Sequence, residues 1–212
     1  MGRLLTGVMA FCNWVTHFAI LNLMWLGCTF LGLIIFGIGP STIAMYGVCR
    51  QVALGDKDVP VIKTFWKIYK KELVKGNLFF YTFVFIGAIC FHNLFFFRQL
   101  DGGFFTVINV LMMITVFAFL IMVMYVIPVY VHYKLKFFEN FKQALLIGFL
   151  RPANLFLMII CTLSSYYFFI YFPGFIPIYG FTLFVQMNMW LAMKCFEDIE
   201  QYKAARARPV NV

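Results

Sequence analysis

Five stretches of this chain are each long and apolar enough to cross a lipid bilayer, which leaves few folds open to it. They cover residues 15–38, 78–97, 104–131, 153–172 and 175–193, and the first two hold no charged residue. About 20 consecutive apolar residues carry a helix across the hydrocarbon. Inside it every backbone N–H and C=O must be bonded within the chain, so only helices or a closed barrel can span. Barrel strands would show as alternating segments of about ten residues; none is present, and the spans read as helices. The fold class expected is all-α: a polytopic membrane bundle of five transmembrane helices, one domain over residues 1–212, with two cytoplasmic amphipathic elbow helices. Composition supports this. The chain is 64% hydrophobic and 12% charged, against about 45–50% and 25% in soluble domains. One small core cannot hide that excess, so a soluble domain, a disordered chain and a disulfide-stapled secreted module are excluded. Cys12, Cys28, Cys49, Cys90, Cys161 and Cys195 are scattered singly and read as free thiols packing as small apolar groups.

Two connectors carry helical periodicity. Over residues 59–74, Ile62, Phe65, Trp66, Tyr69 and Leu73 recur at three- and four-residue steps, with Lys63, Lys67, Lys70 and Lys71 between them. That is the pattern of a basic amphipathic helix lying in a membrane interface. Residues 137–150 repeat the theme with fewer charges and end at Arg151-Pro152, where proline suits a break or the first turn of the next helix. Each connector leads into Asn-Leu-Phe, at Asn77-Leu78-Phe79 and Asn154-Leu155-Phe156. The echo reads either as a parallel duplication or as the look of any amphipathic elbow before a membrane helix.

Charge fixes the expected orientation. Arg50, Lys57, Lys63, Lys67, Lys70, Lys71 and Lys75 lie between spans one and two. Lys134, Lys136, Lys142 and Arg151 lie between spans three and four, and Lys194, Lys203, Arg206 and Arg208 follow span five. Of the 17 Lys and Arg, Arg3 and Arg98 alone fall on the other side. Lys/Arg bias sets topology, so the N-terminus is expected outside and the C-terminus in the cytoplasm of a multi-pass protein. Residues 4–12 read as an interfacial helix or as an extension of span one, and no cleavable secretory signal is evident.

The membrane interior offers little chemistry. All eight acids, Asp56, Asp58, Glu72, Asp101, Glu139, Glu197, Asp198 and Glu200, fall outside the expected spans, which argues against a carboxylate-driven carrier. There is no H-E-x-x-H, no phosphate-binding glycine loop and no nucleophile–base pair, so the chain reads as non-enzymatic, with no catalytic residue, metal site or cofactor. His17 and His92, near the outer ends of the first two spans, and His132, at the inner end of the third, read as interfacial polar residues. Asn22, Asn109, Gln186, Asn188, Ser164 and Ser165 read as interhelical hydrogen-bonding groups. The aromatics at Phe95–Phe97, Tyr166, Tyr167, Tyr171, Phe172 and Phe175 read as a lipid-anchoring belt.

Span one runs straight into Gly39-Pro40-Ser41-Thr42-Ile43-Ala44-Met45-Tyr46-Gly47-Val48-Cys49-Arg50. Gly39-Pro40 is expected to end the first helix. Ser41 is expected to cap a short half helix whose small residues permit close approach. Together with Asn22 and Trp25, Arg50, the Phe65-Trp66 elbow and Arg151-Pro152, this run resembles the YesL family of bacterial membrane proteins, a family of unknown function. The resemblance spans essentially the whole chain. It implies a bacterial cytoplasmic membrane and an association with oligosaccharide uptake beside ABC importers; it supplies no catalytic residues.

The expected function is that of an accessory component of carbohydrate uptake beside an ABC importer, the alternative being a small oligomeric transporter or channel acting alone. Expected partners are the bilayer, with anionic lipid at the cytoplasmic face, importer subunits and further copies of the chain, but no nucleic acid. The residues singled out for partner or lipid contact are Gly39, Pro40, Ser41, Ala44, Tyr46, Lys63, Phe65, Trp66, Lys67, Lys70, Lys71 and Arg151.

Overall fold

The computed structural model describes residues 2–56, 59–100, 102–133 and 135–207. Lys57, Asp58, Asp101, Lys134 and Arg208, which entered the charge argument, lie outside the described residues. Among the described residues the elements are α1 (Gly2–Leu31), α2 (Ile35–Ala53), α3 (Val61–Glu72), α4 (Lys75–Phe97), α5 (Gly103–His132), α6 (Phe137–Leu150), α7 (Pro152–Tyr171) and α8 (Ile176–Ala207), with a 3₁₀ turn at Pro173–Phe175 before α8. Five segments are long and apolar enough to cross a membrane: Cys12–Leu31, Lys75–Phe97, Gly103–His132, Pro152–Tyr171 and Pro173–Tyr202. Large apolar side chains such as Phe85, Val107, Phe117 and Phe156 stand on the outside of the bundle, as lipid-facing helices require. So do Phe95, Phe96, Tyr166, Tyr167, Tyr171, Phe172 and Phe175 of the expected aromatic belt.

The first span departs from expectation. The helix begins at Gly2, which takes residues 4–12 into the same helix as span one, and it stops at Leu31 rather than at Gly39-Pro40. The chain reverses over Gly32-Leu33-Ile34. Leu33 and Ile34 take positive φ values of 53° and 63°. Ile35 N–H donates to Leu33 O at 2.6 Å across Ile34, a γ-turn of the rarer, strained form. Helix α2 then runs through Pro40. Proline removes the N–H that would have bonded Phe36 O; Asn77 Nδ2 of α4 donates to that carbonyl instead, at 2.8 Å. Tyr81 Oη, one turn further along α4, donates to Ile35 O. Ser41 therefore caps nothing: it is buried within α2 and its Oγ has no partner among the described residues. Asn77→Leu is expected to orphan the Phe36 carbonyl and lower stability by about 1 kcal/mol, read as a drop in the detergent unfolding midpoint.

Helix α2 is the hub. Residues Gly39 to Cys49 are all buried, and α2 packs against α1, α3, α4, α5 and α8. Glycine makes the approaches possible. An added Cβ on Gly37 would meet Thr29 O at 2.5 Å and Cys28 O at 2.7 Å. On Gly39 it would meet Asn77 Oδ1 at 2.8 Å, and on Gly47 Ile68 Cδ1 at 2.6 Å. Side-chain bonds also tie α2 to α1 and α8: Trp25 Nε1 donates to Thr42 Oγ1 at 3.1 Å, and Tyr46 Oη donates to Asn188 Oδ1 at 3.2 Å.

The two periodic connectors are both helical. In α3 the apolar side divides. Val61, Phe65 and Tyr69 are buried, with Tyr69 Oη donating to Cys28 O at 3.1 Å, whereas Ile62, Trp66 and Leu73 are exposed. Helix α6 runs back along α5. Phe141 stacks on Phe79, which also stacks on Tyr130 near the end of α5, while Gly148 sits against Ile121 and Tyr125. The two units are thus not packed alike, because α3 rests on α2 and nothing equivalent to α2 lies between α5 and α6. Pro152 opens α7 at its first turn, as expected.

Candidate functional site

The connectors that carry the cations meet at one end of the bundle. Arg50 from the end of α2 donates through Nε to His132 Nδ1 at 3.2 Å. That bond makes Nδ1 the acceptor and leaves the ring proton on Nε2, which faces Glu200 Oε1 of α8 at 3.6 Å. Tyr133 lies beside the same carboxylate; burial and Glu200 push its phenol up to about 12. Arg151 Nη1 lies 3.5 Å from Asp198 Oδ2, tying the start of α7 to α8. Both partners are half exposed, so this pair adds little to stability. Helix α8 continues past Met193 to Ala207, and it is this extension that supplies Asp198 and Glu200.

Beside the Arg50–His132 pair lies a cavity of about 420 Å³ between α2, α3, the first turn of α4, the end of α5 and the start of α6. Its charged lining groups are Arg50, Lys71, Glu72 and Lys75, three cations against one carboxylate. Glu72 Oε2 accepts from Tyr130 Oη at 2.7 Å. Asn140 closes the α6 side. Its Nδ2 donates to Lys136 O at 2.9 Å and to Phe137 O at 3.4 Å, while its buried Oδ1 has no partner among the described residues. Lys136 N–H donates to Glu139 Oε2 at 3.1 Å, which holds the first turn of α6 in place.

Of the residues singled out from sequence, Gly39, Pro40, Ser41, Ala44 and Tyr46 are buried inside the bundle. Gly39 lies against Asn77 and Phe80 of α4, and Tyr46 bonds Asn188 of α8. Phe65 is likewise fully buried. Lys63, Trp66, Lys67, Lys70 and Lys71 stay on the surface of α3, where Lys70 Nζ sits 5.0 Å from the Trp66 ring centroid. Lys71 alone of that group reaches the cavity. Glu72, Lys75, Tyr130 and Asn140 were not foreseen as site residues. Each is an ordinary polar residue near a helix end in the sequence, and only the packing of four separate segments brings them together.

A second cavity, of about 510 Å³, lies between α1, α7 and the start of α8, lined by Trp25, Leu26, Tyr166, Phe169 and Phe181 among others. Its wall is apolar apart from Asn22, whose carboxamide is already engaged. Asn22 Nδ2 donates to Pro177 O at 2.7 Å, and Oδ1 accepts from Thr182 Oγ1 at 3.2 Å. Asn22 and Asn188 thus act as the interhelical groups expected of them. Ser165 instead donates to Cys161 O on its own helix, and Asn109 Oδ1 and Gln186 Oε1 have no partner among the described residues.

Residues 18–94 match a family model described as "Protein of unknown function, DUF624". That stretch carries the reversal, α2, α3 and all four charged cavity residues, Arg50, Lys71, Glu72 and Lys75. Three proteins of Bacillus subtilis (strain 168) are similar over nearly the whole chain. Uncharacterized protein YteU is 32% identical over 216 residues, covering 100% of this chain and 93% of the relative. Uncharacterized protein YesV is 36% identical over 189 residues, covering 89% and 91%. Uncharacterized protein YesL is 30% identical over 196 residues, covering 92% of each. No solved structure matches the chain. Similarity of this depth, end to end, on a chain whose described residues form helices without a strand and include five segments long and apolar enough to cross a membrane, means that the protein belongs to the YesL-like family of unknown function.

Proposed function

We propose that this protein is a non-enzymatic accessory component of oligosaccharide uptake. It sits in the bacterial cytoplasmic membrane, N-terminus outside and C-terminus in the cytoplasm, and touches an ABC importer and the anionic lipid around it through its cationic end. The observation that carries the reading is the outer face of α3. Ile62, Trp66 and Leu73 fall within about 40° of one another on a 3.6-residue helix and are all exposed, with Lys70 and Lys63 beside them and Lys67 further round. Such a stripe is disfavoured in water and suits a headgroup boundary or the flank of a membrane partner. Each cation near an anionic surface adds about 1 kcal/mol. The carbohydrate side of the reading rests on the resemblance drawn from the sequence alone. A small transporter acting alone draws less support, because Asn22 and Asn188 direct their polar atoms to neighbouring helices rather than to a path.

Purification in a mild detergent tests the proposal: importer subunits are expected to accompany the protein. A partner-free oligomer that passes solute in liposomes would overturn it. Changing Lys63, Lys67 and Lys70 together to Gln, with the cavity residue Lys71 left in place, is expected to reduce retained anionic lipid or importer several-fold, measured by native mass spectrometry. Retention equal to that of the parent would remove the role given to α3.

A further inference from the structure

The cavity at the cationic end has the chemistry of a specific small site, and its argument stands apart from the importer reading. Two observations define the ligand. The first is charge: Arg50, Lys71 and Lys75 surround the space against Glu72 alone, so an anion is favoured. The bond from Arg50 Nε to His132 Nδ1 holds the guanidinium plane, the condition for directional phosphate recognition. The second is Asn140, which is 1% exposed. Its Nδ2 is committed to two backbone carbonyls, which settles which end of the carboxamide is oxygen, and Oδ1 is left as a buried acceptor without a donor. A buried polar atom in that state demands a donor, and a phosphodiester or a fully deprotonated phosphate, whose oxygens only accept, cannot supply it. A hydroxyl can.

We propose that the cavity binds a phosphorylated polyol, the phosphate lying among Arg50, Lys71 and Lys75 and a hydroxyl donating to Asn140 Oδ1. The volume of about 420 Å³ is within the range of small-molecule sites. It suits a glycerol phosphate or a sugar phosphate. The same chemistry is offered by a phosphatidylglycerol headgroup and by a free polyol phosphate in water.

The full chain in phosphatidylcholine nanodiscs separates these sources. One arm adds phosphatidylglycerol, with phosphatidic acid as the partner lacking the polyol, and counts bound lipid by native mass spectrometry. The other titrates sn-glycerol 3-phosphate against inorganic phosphate by calorimetry. Saturable binding of one polyol phosphate per chain is expected in at least one arm, and the arm that responds identifies the source. Lys75→Gln and Arg50→Gln are each expected to weaken it about tenfold. Asn140→Leu is expected to erase the preference for the polyol form, and Lys194→Gln, on α8 outside the cavity and off the α3 face, is expected to change nothing. Arg50→Gln also breaks the bond to His132, so the exposed Lys75 keeps the test decisive if that variant does not fold. Absence of saturable binding in both arms overturns the proposal. So does binding indifferent to Lys75→Gln, or equal affinity for the polyol and polyol-free ligands.

Discussion

Gly37→Ala is expected to destabilise the protein by about 3 kcal/mol, seen as a large fall in the unfolding midpoint of the detergent-purified chain. The added methyl would meet Thr29 O at 2.5 Å, Cys28 O at 2.7 Å and Thr29 Cα at 2.8 Å. These are backbone atoms of α1, which no rotamer change can move aside. Relief requires α1 and α2 to separate just after the strained turn at Leu33 and Ile34, disturbing the base on which α3, α4 and α8 are packed. Two controls give the result its meaning. At Gly27 a methyl meets nothing within 4 Å, so Gly27→Ala is expected to be neutral or slightly stabilising through helix propensity. At Gly47 the contact is with Ile68 Cδ1, the far end of a side chain that can rotate, and Gly47→Ala is expected to fall between the two. A Gly37→Ala protein as stable as its parent would mean that α1 and α2 do not approach this closely.

Asn22→Leu is expected to lower stability by about 2 kcal/mol. The carboxamide is enclosed by the first turns of α8: it donates to Pro177 O at 2.7 Å and accepts from Thr182 Oγ1 at 3.2 Å and from the Phe181 and Thr182 N–H groups at 3.3 Å. Leucine is close in size, so the change removes polarity more than volume. It leaves the fully buried Thr182 hydroxyl and the Pro177 carbonyl facing an apolar side chain. Thr182→Val in the Asn22→Leu background separates the causes. The double variant is expected to regain part of the loss, because the unpaired hydroxyl is gone. A double variant no better than the single would point to packing instead.

Both predictions concern groups whose importance was only partly visible in the amino-acid order. The five crossing segments were legible because hydrophobic length is a local property, and a bilayer leaves helices as the answer. The position of the first break was not. Gly39-Pro40 carries the ordinary stop signal, and Pro40 is tolerated within α2 only because Asn77, far along the chain, bonds the carbonyl that the proline leaves free. The same cause turned Ser41 from an expected cap into a buried residue. On α3 the three- and four-residue spacing identified the helix. It could not show that Phe65 and Tyr69 turn inward while Ile62, Trp66 and Leu73 do not, since that division depends on α1 and α2 lying on one side. The cavity was least legible of all. Arg50, Glu72, Tyr130 and Asn140 come from different helices, and no local pattern links a proton-donating tyrosine at the end of one span to a carboxylate before another.

The placement of α2 bears on how the chain is made. Helices enter the membrane in order of synthesis, yet the second one built relies for its surroundings on the last: the Tyr46 hydroxyl waits for Asn188 of α8. During translation α2 is left half-clothed until the final span has left the ribosome. A nascent chain interrupted before Asn188 therefore presents bare small residues and an unanswered phenol, the kind of flaw by which a membrane protease could tell unfinished copies from finished ones.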